Sequence, residues 1–205
     1  MKTLVKLFFA ACVTGSLAAS LISCSDSDKT AGKPVEVIEP SSLLSYVPAD
    51  TPYVFTNSRP FPRVITEKLL LNADAELEHA AAELQRAIDT EPFDTAEEKQ
   101  LMTLAQAIVA ELQGKMSADG LESLGLLIDG RSLVYGVGVL PVIRTDIGDR
   151  QKVLDLITRV EHRSGMTAEQ RQLAEQSYRR FDLEQLVGIM AVTDRHLVAA
   201  LLPAK

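Results

Sequence analysis

The residues that could do chemistry are few and far apart. His79, His162 and His196 are the only histidines, and none lies within metal-ligand spacing of another. Zinc is held by four closely set nitrogen, sulfur or carboxylate donors, so no local ligand set is readable and all three read as surface side chains. No Gly-x-Ser-x-Gly elbow offers an activated serine. Gly136-Val137-Gly138 sits in a β-branched stretch and not in a loop that opens a helix, so it lacks the context of a phosphate cradle. At strand period both glycines would share one face, where a helix could pack closely. Glu97-Glu98 falls at a helix start, where carboxylates offset the dipole. One polar group stands out: Arg144, Asp146, Asp149 and Arg150, at a strand-to-helix junction. Its charges suit a small anionic ligand at the start of that helix; helix capping and surface ion pairing is the competing role. No catalytic residue, metal site or cofactor signature is readable.

The cysteines carry a different chemistry. Lys2 and Lys6 precede a charge-free run from Leu7 to Ser25 centred on Leu7-Phe8-Phe9-Ala10-Ala11-Cys12-Val13, the pattern of a secretory signal. The run closes with Leu21-Ile22-Ser23-Cys24, which resembles the lipobox of bacterial lipoproteins. The resemblance implies cleavage after Ser23, a thioether-linked lipid on Cys24 and acylation of the new amino terminus. Each buried methylene contributes about 0.8 kcal/mol, and two chains suffice for stable anchoring. An uncleaved transmembrane anchor is the alternative, since the run is near the lower length limit for spanning, but Thr14, Gly15, Ser16, Ser20 and Ser23 weaken it. A disulfide would need Cys12, inside the signal. Ser25 after the modified cysteine implies sorting to the outer membrane, with the domain on the periplasmic side of the envelope.

Removing residues 1–23 takes Lys2 and Lys6 with it and moves the formal charge from −7 to −9. An acidic chain is a poor match for nucleic acid, whose phosphates require clustered Lys and Arg. Arg179-Arg180 is the one adjacent basic pair outside short mixed runs, and it reads as a solvated strand edge. Tryptophan is absent and aromatics make up 5% of the chain, which disfavours a ring-stacking carbohydrate platform.

These residues must be positioned by the elements that follow. Residues 24–40 read as a lipidated cysteine and a polar tether with an r.m.s. span of about 20–24 Å. The folded domain is expected over 41–205. Tyr53, Val54 and Phe55 mark a strand within Thr51–Asn57. Leu70, Leu77 and Leu84, with Ala73, Ala80 and Ala87, form a seam on one helix from Val64 to Ile88. After Glu91-Pro92-Phe93-Asp94, Asp94 or Thr95 can cap a second helix with the stripe Leu101, Leu104, Ala105, Ile108 and Leu112, stopped at Gly114. The short connection predicts an inserted antiparallel helical hairpin over about 64–113. Ser132 to Asp146 reads as one long strand interrupted at Pro141, by a bulge or at an edge. Asp149 should cap a helix with the stripe Val153, Leu156, Ile157 and Val160, ending at Gly165. A shorter helix is expected from Thr167 to Gln176, then a strand from Tyr178 to Leu183. Leu186–Thr193 and His196–Leu202 should form a hairpin across Asp194-Arg195. The order predicts an α+β domain, a largely antiparallel sheet with helices on one face. The stop at Pro203-Ala204-Lys205, three residues after the last strand, also fits the N-terminal part of a longer protein.

Tyr46-Val47-Pro48-Ala49-Asp50-Thr51-Pro52-Tyr53-Val54-Phe55 resembles the block that opens the folded part of a family of uncharacterised bacterial envelope lipoproteins. Tyr135-Gly136-Val137-Gly138, with Pro141-Val142 and Arg144, resembles a second such block. The resemblance implies no activity. With the anchor, it implies a lipid-anchored envelope protein whose domain binds another envelope protein or organises an assembly without catalysis. The alternatives are an envelope enzyme, or a carrier of a small ligand or lipid, with a site formed from sequence-distant residues.

Overall fold

The computed structural model describes residues 43–57, 62–90, 95–183 and 186–204; the expected signal, Cys24 and the expected tether lie outside them. The described part is α+β, as its alternating and helical periodicities require. Seven strands, β1 (Val54–Asn57), β2 (Ser132–Val137), β3 (Leu140–Asp146), β4 (Glu169–Leu173), β5 (Gln176–Asp182), β6 (Leu186–Val192) and β7 (His196–Pro203), form one sheet. Every neighbouring pair is antiparallel, in the order β1-β2-β3-β7-β6-β5-β4.

Strand alternation gives this sheet two different faces. On one, Leu133, Tyr135 and Val142 are buried beneath Leu43, which a 3₁₀ turn (Leu43–Tyr46) plugs into the sheet. On the other, Ile147 and Val192 are buried against Val153 and Ile157 of a helix, Arg150–Ser164. Burying aliphatic side chains of this size contributes about 1.5–3 kcal/mol each, so each face has its own apolar anchor.

Among the described residues five α-helices accompany the sheet: α1 (Arg63–Leu70), α2 (Ala73–Thr90), α3 (Ala96–Leu112), α4 (Ala118–Ser123) and α5 (Arg150–Ser164). Capping follows sequence chemistry. Thr95 Oγ1 accepts from the Glu98 amide at 3.1 Å, Ser117 Oγ from Gly120 at 3.1 Å and Asp149 Oδ1 from Lys152 at 3.1 Å, while Gly165 closes α5 in a left-handed conformation. From the sheet outward, α5 packs on the strands, α3 on α5, and α2 on α3. Asp74 near the start of α2 accepts from the Met116 amide beyond α3, and Gln106 Nε2 donates to Gln85 Oε1 at 2.8 Å.

Several expectations are corrected. The helix expected from Val64 to Ile88 is two helices broken at Leu71-Asn72, where Asn72 restarts the ladder by accepting from the Glu76 amide at 3.0 Å. On α2 the inward apolar positions are Ala73, Leu77, Ala81, Leu84, Ala87 and Ile88; of the expected seam on this helix only Ala80 is exposed, because an α-helix advances by 3.6 residues and drifts off a seven-residue repeat. Ile108 of the expected α3 stripe is exposed, and the most buried positions are Ala107 and Glu111, because α3 is clasped by α2 and α5 on different sides.

The long strand expected from Ser132 to Asp146 is a hairpin. Gly138, with φ of +61°, reverses the chain, and the register runs without a bulge through Gly136↔Pro141 and Val137↔Leu140. The β3–β7 pairing begins only at Val142, so Pro141's missing N–H removes no rung there. The glycines therefore do not line a helix-facing strip. A Cβ on Gly136 would stand 2.6 Å from Tyr53 Cε1, because the lead-in to β1 crosses there. The helix expected from Thr167 to Gln176 is the β4–β5 hairpin, turned at Ala174 and Glu175 with Ala174 at φ +51°. Its Glu- and Gln-rich sequence favours helix, but the Arg171↔Tyr178 and Glu169↔Arg180 pairings override that preference.

A glycine that sequence reading passed over locks the sheet to α5. Gly125 adopts φ +83°, its carbonyl accepts from the Gly148 and Asp149 amides, and an added Cβ would lie 2.5 Å from the Asp149 carbonyl oxygen. Gly125→Ala should therefore cost about 2–3 kcal/mol, combining left-handed strain with a backbone clash. Urea unfolding of the two proteins checks it; a midpoint within error of wild type would disprove the lock.

Candidate functional site

The four residues singled out at the strand-to-helix junction divide between two places. Asp149 caps α5, and Arg150 Nε lies 3.8 Å from Asp194 Oδ1 on the open surface. Arg144 and Asp146 sit two residues apart on β3, so they project together to the face closed by the 3₁₀ turn. Register places Val198 opposite Arg144 and His196 opposite Asp146. His196 is thus drawn from the sequence-distant end of the sheet into the cluster, with its side chain only 12% exposed. The surface reading of His196 is corrected here. His79 and His162 remain exposed on their helices.

The cluster is well ordered electrostatically. Asp146 Oδ2 accepts from Arg131 Nε at 2.9 Å and from the Arg131 amide at 3.2 Å, and Asp146 Oδ1 faces His196 Nε2 at 3.2 Å. Arg144 Nη1 lies 3.4 Å from His196 Nδ1. A guanidinium can only donate, so Nδ1 must be the acceptor and Nε2 must carry the proton toward Asp146. Burial, followed by the charge of Arg144, pushes the imidazole below its ordinary value, against the pull of Asp146. Tyr46 lays its ring over Arg144, 3.7 Å from Cζ to the ring centre, and meets His196 edge-on at 5.8 Å.

This arrangement is ill-suited to proton transfer with a substrate. A general base needs a free nitrogen within reach of a reacting proton, and here one nitrogen is committed to Asp146 and the other faces Arg144. Among the described residues no three His, Cys, Asp or Glu side chains converge as a metal set.

Arg179-Arg180 is not a solvated edge. On a strand the two side chains take opposite faces: Arg179 Nη1 reaches Glu161 of α5 at 3.2 Å, and Arg180 pairs with Asp182 on the other side. Arg179, Tyr178, Met190, Leu154 and Thr158 line an open groove of about 320 Å³ between α5 and the β4–β6 half of the sheet. That volume lies at the lower bound of small-molecule sites.

A second unforeseen feature is Glu111. Its side chain is 4% exposed, yet it accepts from Arg159 Nε at 2.8 Å and Arg163 Nη2 at 3.0 Å. Arg159 and Arg163 are four apart on α5 and so project from one helix face. The Arg159 hydrogen bond holds the Glu111 carboxyl below the usual carboxylate range, aided by the charges of Arg159, Arg163 and Lys115 against the cost of burial. This triad fastens α3 to α5.

The two outer strands of the sheet differ. β4 is fully exposed and polar except for Leu173 at its end, with Glu169 and Arg171 joined at 2.8 Å, the charged kind of edge that discourages strand addition. β1, Val-Phe-Thr-Asn, carries no charge. Phe55 is 68% exposed and Val139, in the adjoining β2–β3 turn, 88% exposed; Val54 and Val137, on the opposite face of their strands, are exposed as well. The two sequence blocks meet here. Thr51 Oγ1 donates to the Gly136 carbonyl, the Gly136 amide to the Tyr53 carbonyl at 3.1 Å, and the Tyr53 hydroxyl to the Val139 carbonyl at 3.4 Å.

No family model, curated protein or solved structure matches this chain. Among the described residues no helix is long and apolar enough to cross a membrane.

Proposed function

We propose that this protein is a lipid-anchored, non-catalytic binding module of the bacterial envelope. It is held through Cys24 to a membrane, with the outer membrane favoured, and presents its domain to another envelope protein on the periplasmic side. The single observation that carries the reading is the uncharged β1 edge with exposed Phe55 and Val139 beside it, opposite a sheet edge guarded by charges. Edge strands bind extended segments through backbone hydrogen bonds, and flanking apolar side chains add contact energy. The resemblance of the Tyr46–Phe55 block to envelope lipoproteins supports the same reading.

Capture from envelope extracts is the test, comparing wild type with Phe55→Asp/Val139→Asp. These side chains are exposed, so the fold should survive their replacement. Loss of two central apolar contacts should weaken partner capture by more than about tenfold. A partner held equally by both proteins would move the interface elsewhere, and repeated failure to recover any partner would count against a binding module.

A further inference from the structure

The 3₁₀ turn joins the tether side of the chain to the sheet, and its grip has two unlike parts. Leu43 is buried among Leu133, Tyr135 and Val142, with Leu44 and Val47 packed against the same cluster, while Tyr46 rests on the Arg144 guanidinium and the edge of His196. The first contact is indifferent to pH. The second depends on an imidazole whose Nδ1 must stay unprotonated to accept from Arg144.

We propose that Tyr46 is a proton-released latch: it is seated on Arg144 and His196 when the imidazole is neutral, and released when His196 takes up a proton. Protonation converts the acceptor Nδ1 into an N–H that points at Arg144 Nη1 across 3.4 Å, replacing a hydrogen bond with repulsion between two cations. The groups around the ring favour that outcome. From β3 come Arg144 and Asp146, from the segment before β2 Arg131, from the β6–β7 turn Arg195, and from the 3₁₀ turn the uncharged Tyr46 ring. Asp146 is the only anion in this set, and it is already shared between Arg131 and His196. Arg144 Nε is buried with no hydrogen-bond partner among the described residues, so that atom does not hold the guanidinium in place once Nδ1 is lost. The relief available is outward movement of Arg144 with the half-exposed Tyr46 ring on top of it. The sign agrees: burial and Arg144 depress the imidazole, so its contribution is complete above its ordinary value of 6.5 and is lost as pH falls through its lowered value.

Hydrogen exchange of the intact protein tests the latch. The readout is the Val47 amide, which donates to the Leu44 carbonyl at 3.1 Å within the turn. Its protection, corrected for intrinsic exchange, should fall about tenfold as pH drops below 6.5, in step with His196 titration followed by ¹⁵N NMR. His196→Gln should show no such step. Should that variant fail to fold, Tyr46→Leu provides the second arm. By reciprocity, freeing Arg144 to move away must raise the pH at which His196 titrates. The latch is overturned if Val47 protection stays constant while His196 titrates, if His196→Gln retains the step, or if Tyr46→Leu leaves the titration unmoved.

Discussion

Cys24→Ser should abolish incorporation of labelled palmitate and stop processing between Ser23 and Cys24, the largest effect expected of any single substitution in this chain. Lipid attachment at a lipobox cysteine, the role proposed for Cys24, requires its sulfur, and a hydroxyl cannot form the thioether. Wild-type protein should give a mass corresponding to a chain starting at Cys24 plus a diacylglyceryl group and one further acyl chain. With several chains buried, at about 0.8 kcal/mol per methylene, a protein lipidated in this way would dissociate from the bilayer negligibly. Intact-mass measurement of both proteins decides the matter. An unmodified Cys24, or a mature protein beginning at Met1, would remove the anchor and with it the envelope location.

Glu111→Ala should destabilise the domain by about 3 kcal/mol, through loss of two charge-assisted hydrogen bonds across the α3–α5 contact. The full penalty of an abandoned buried charge does not apply, because Arg159 and Arg163 are about half exposed and can turn to water. Glu111→Gln keeps the volume and one acceptor, so it should cost less. The pH dependence is diagnostic. A depressed carboxyl stabilises the fold above the ordinary glutamate value of 4.5, and that contribution disappears as pH falls through the depressed value. The gap between wild type and Glu111→Gln should therefore close in acid, as measured by urea midpoints across pH. A gap that does not narrow as pH falls below 4.5 would mean that Glu111 acts by packing and not by charge.

Several parts of the fold were legible because they are encoded locally. The cap at Thr95, one of two adjacent candidates, the cap at Asp149, the stop at Gly165, the β6–β7 hairpin across Asp194-Arg195 and the α+β class follow from side chains acting on backbone within a few residues. The errors fell where long-range pairing outweighs local preference. Residues 169–173 carry a helical composition, but the β5 edge takes them as a strand; Leu71-Asn72 breaks a helix whose apolar repeat runs on unbroken.

The cluster around His196 was half legible. Arg144 and Asp146 could be named because they are two residues apart and polar in an apolar strand. Tyr46 and His196 could not be joined to them, since they lie about a hundred residues before and fifty after, and only the β3–β7 register brings them within contact. Glu111 was hidden for the same reason: on α3 alone it is one more helical glutamate, and its meaning depends on which face of α5 arrives opposite.

The sequence by itself determined the expectation of a lipid anchor at Cys24, the acidic character that disfavours nucleic acid, and the α+β class. Those rest on covalent chemistry, total charge and local periodicity, none of which requires knowing what lies across the sheet. Tertiary structure alone decided that β1 is an uncharged sheet edge, that His196 is pinned between Asp146 and Arg144, and that Glu111 binds two arginines. Each of these is a property of neighbours, and neighbours in this domain are assigned by strand register and helix docking over separations that no local pattern spans.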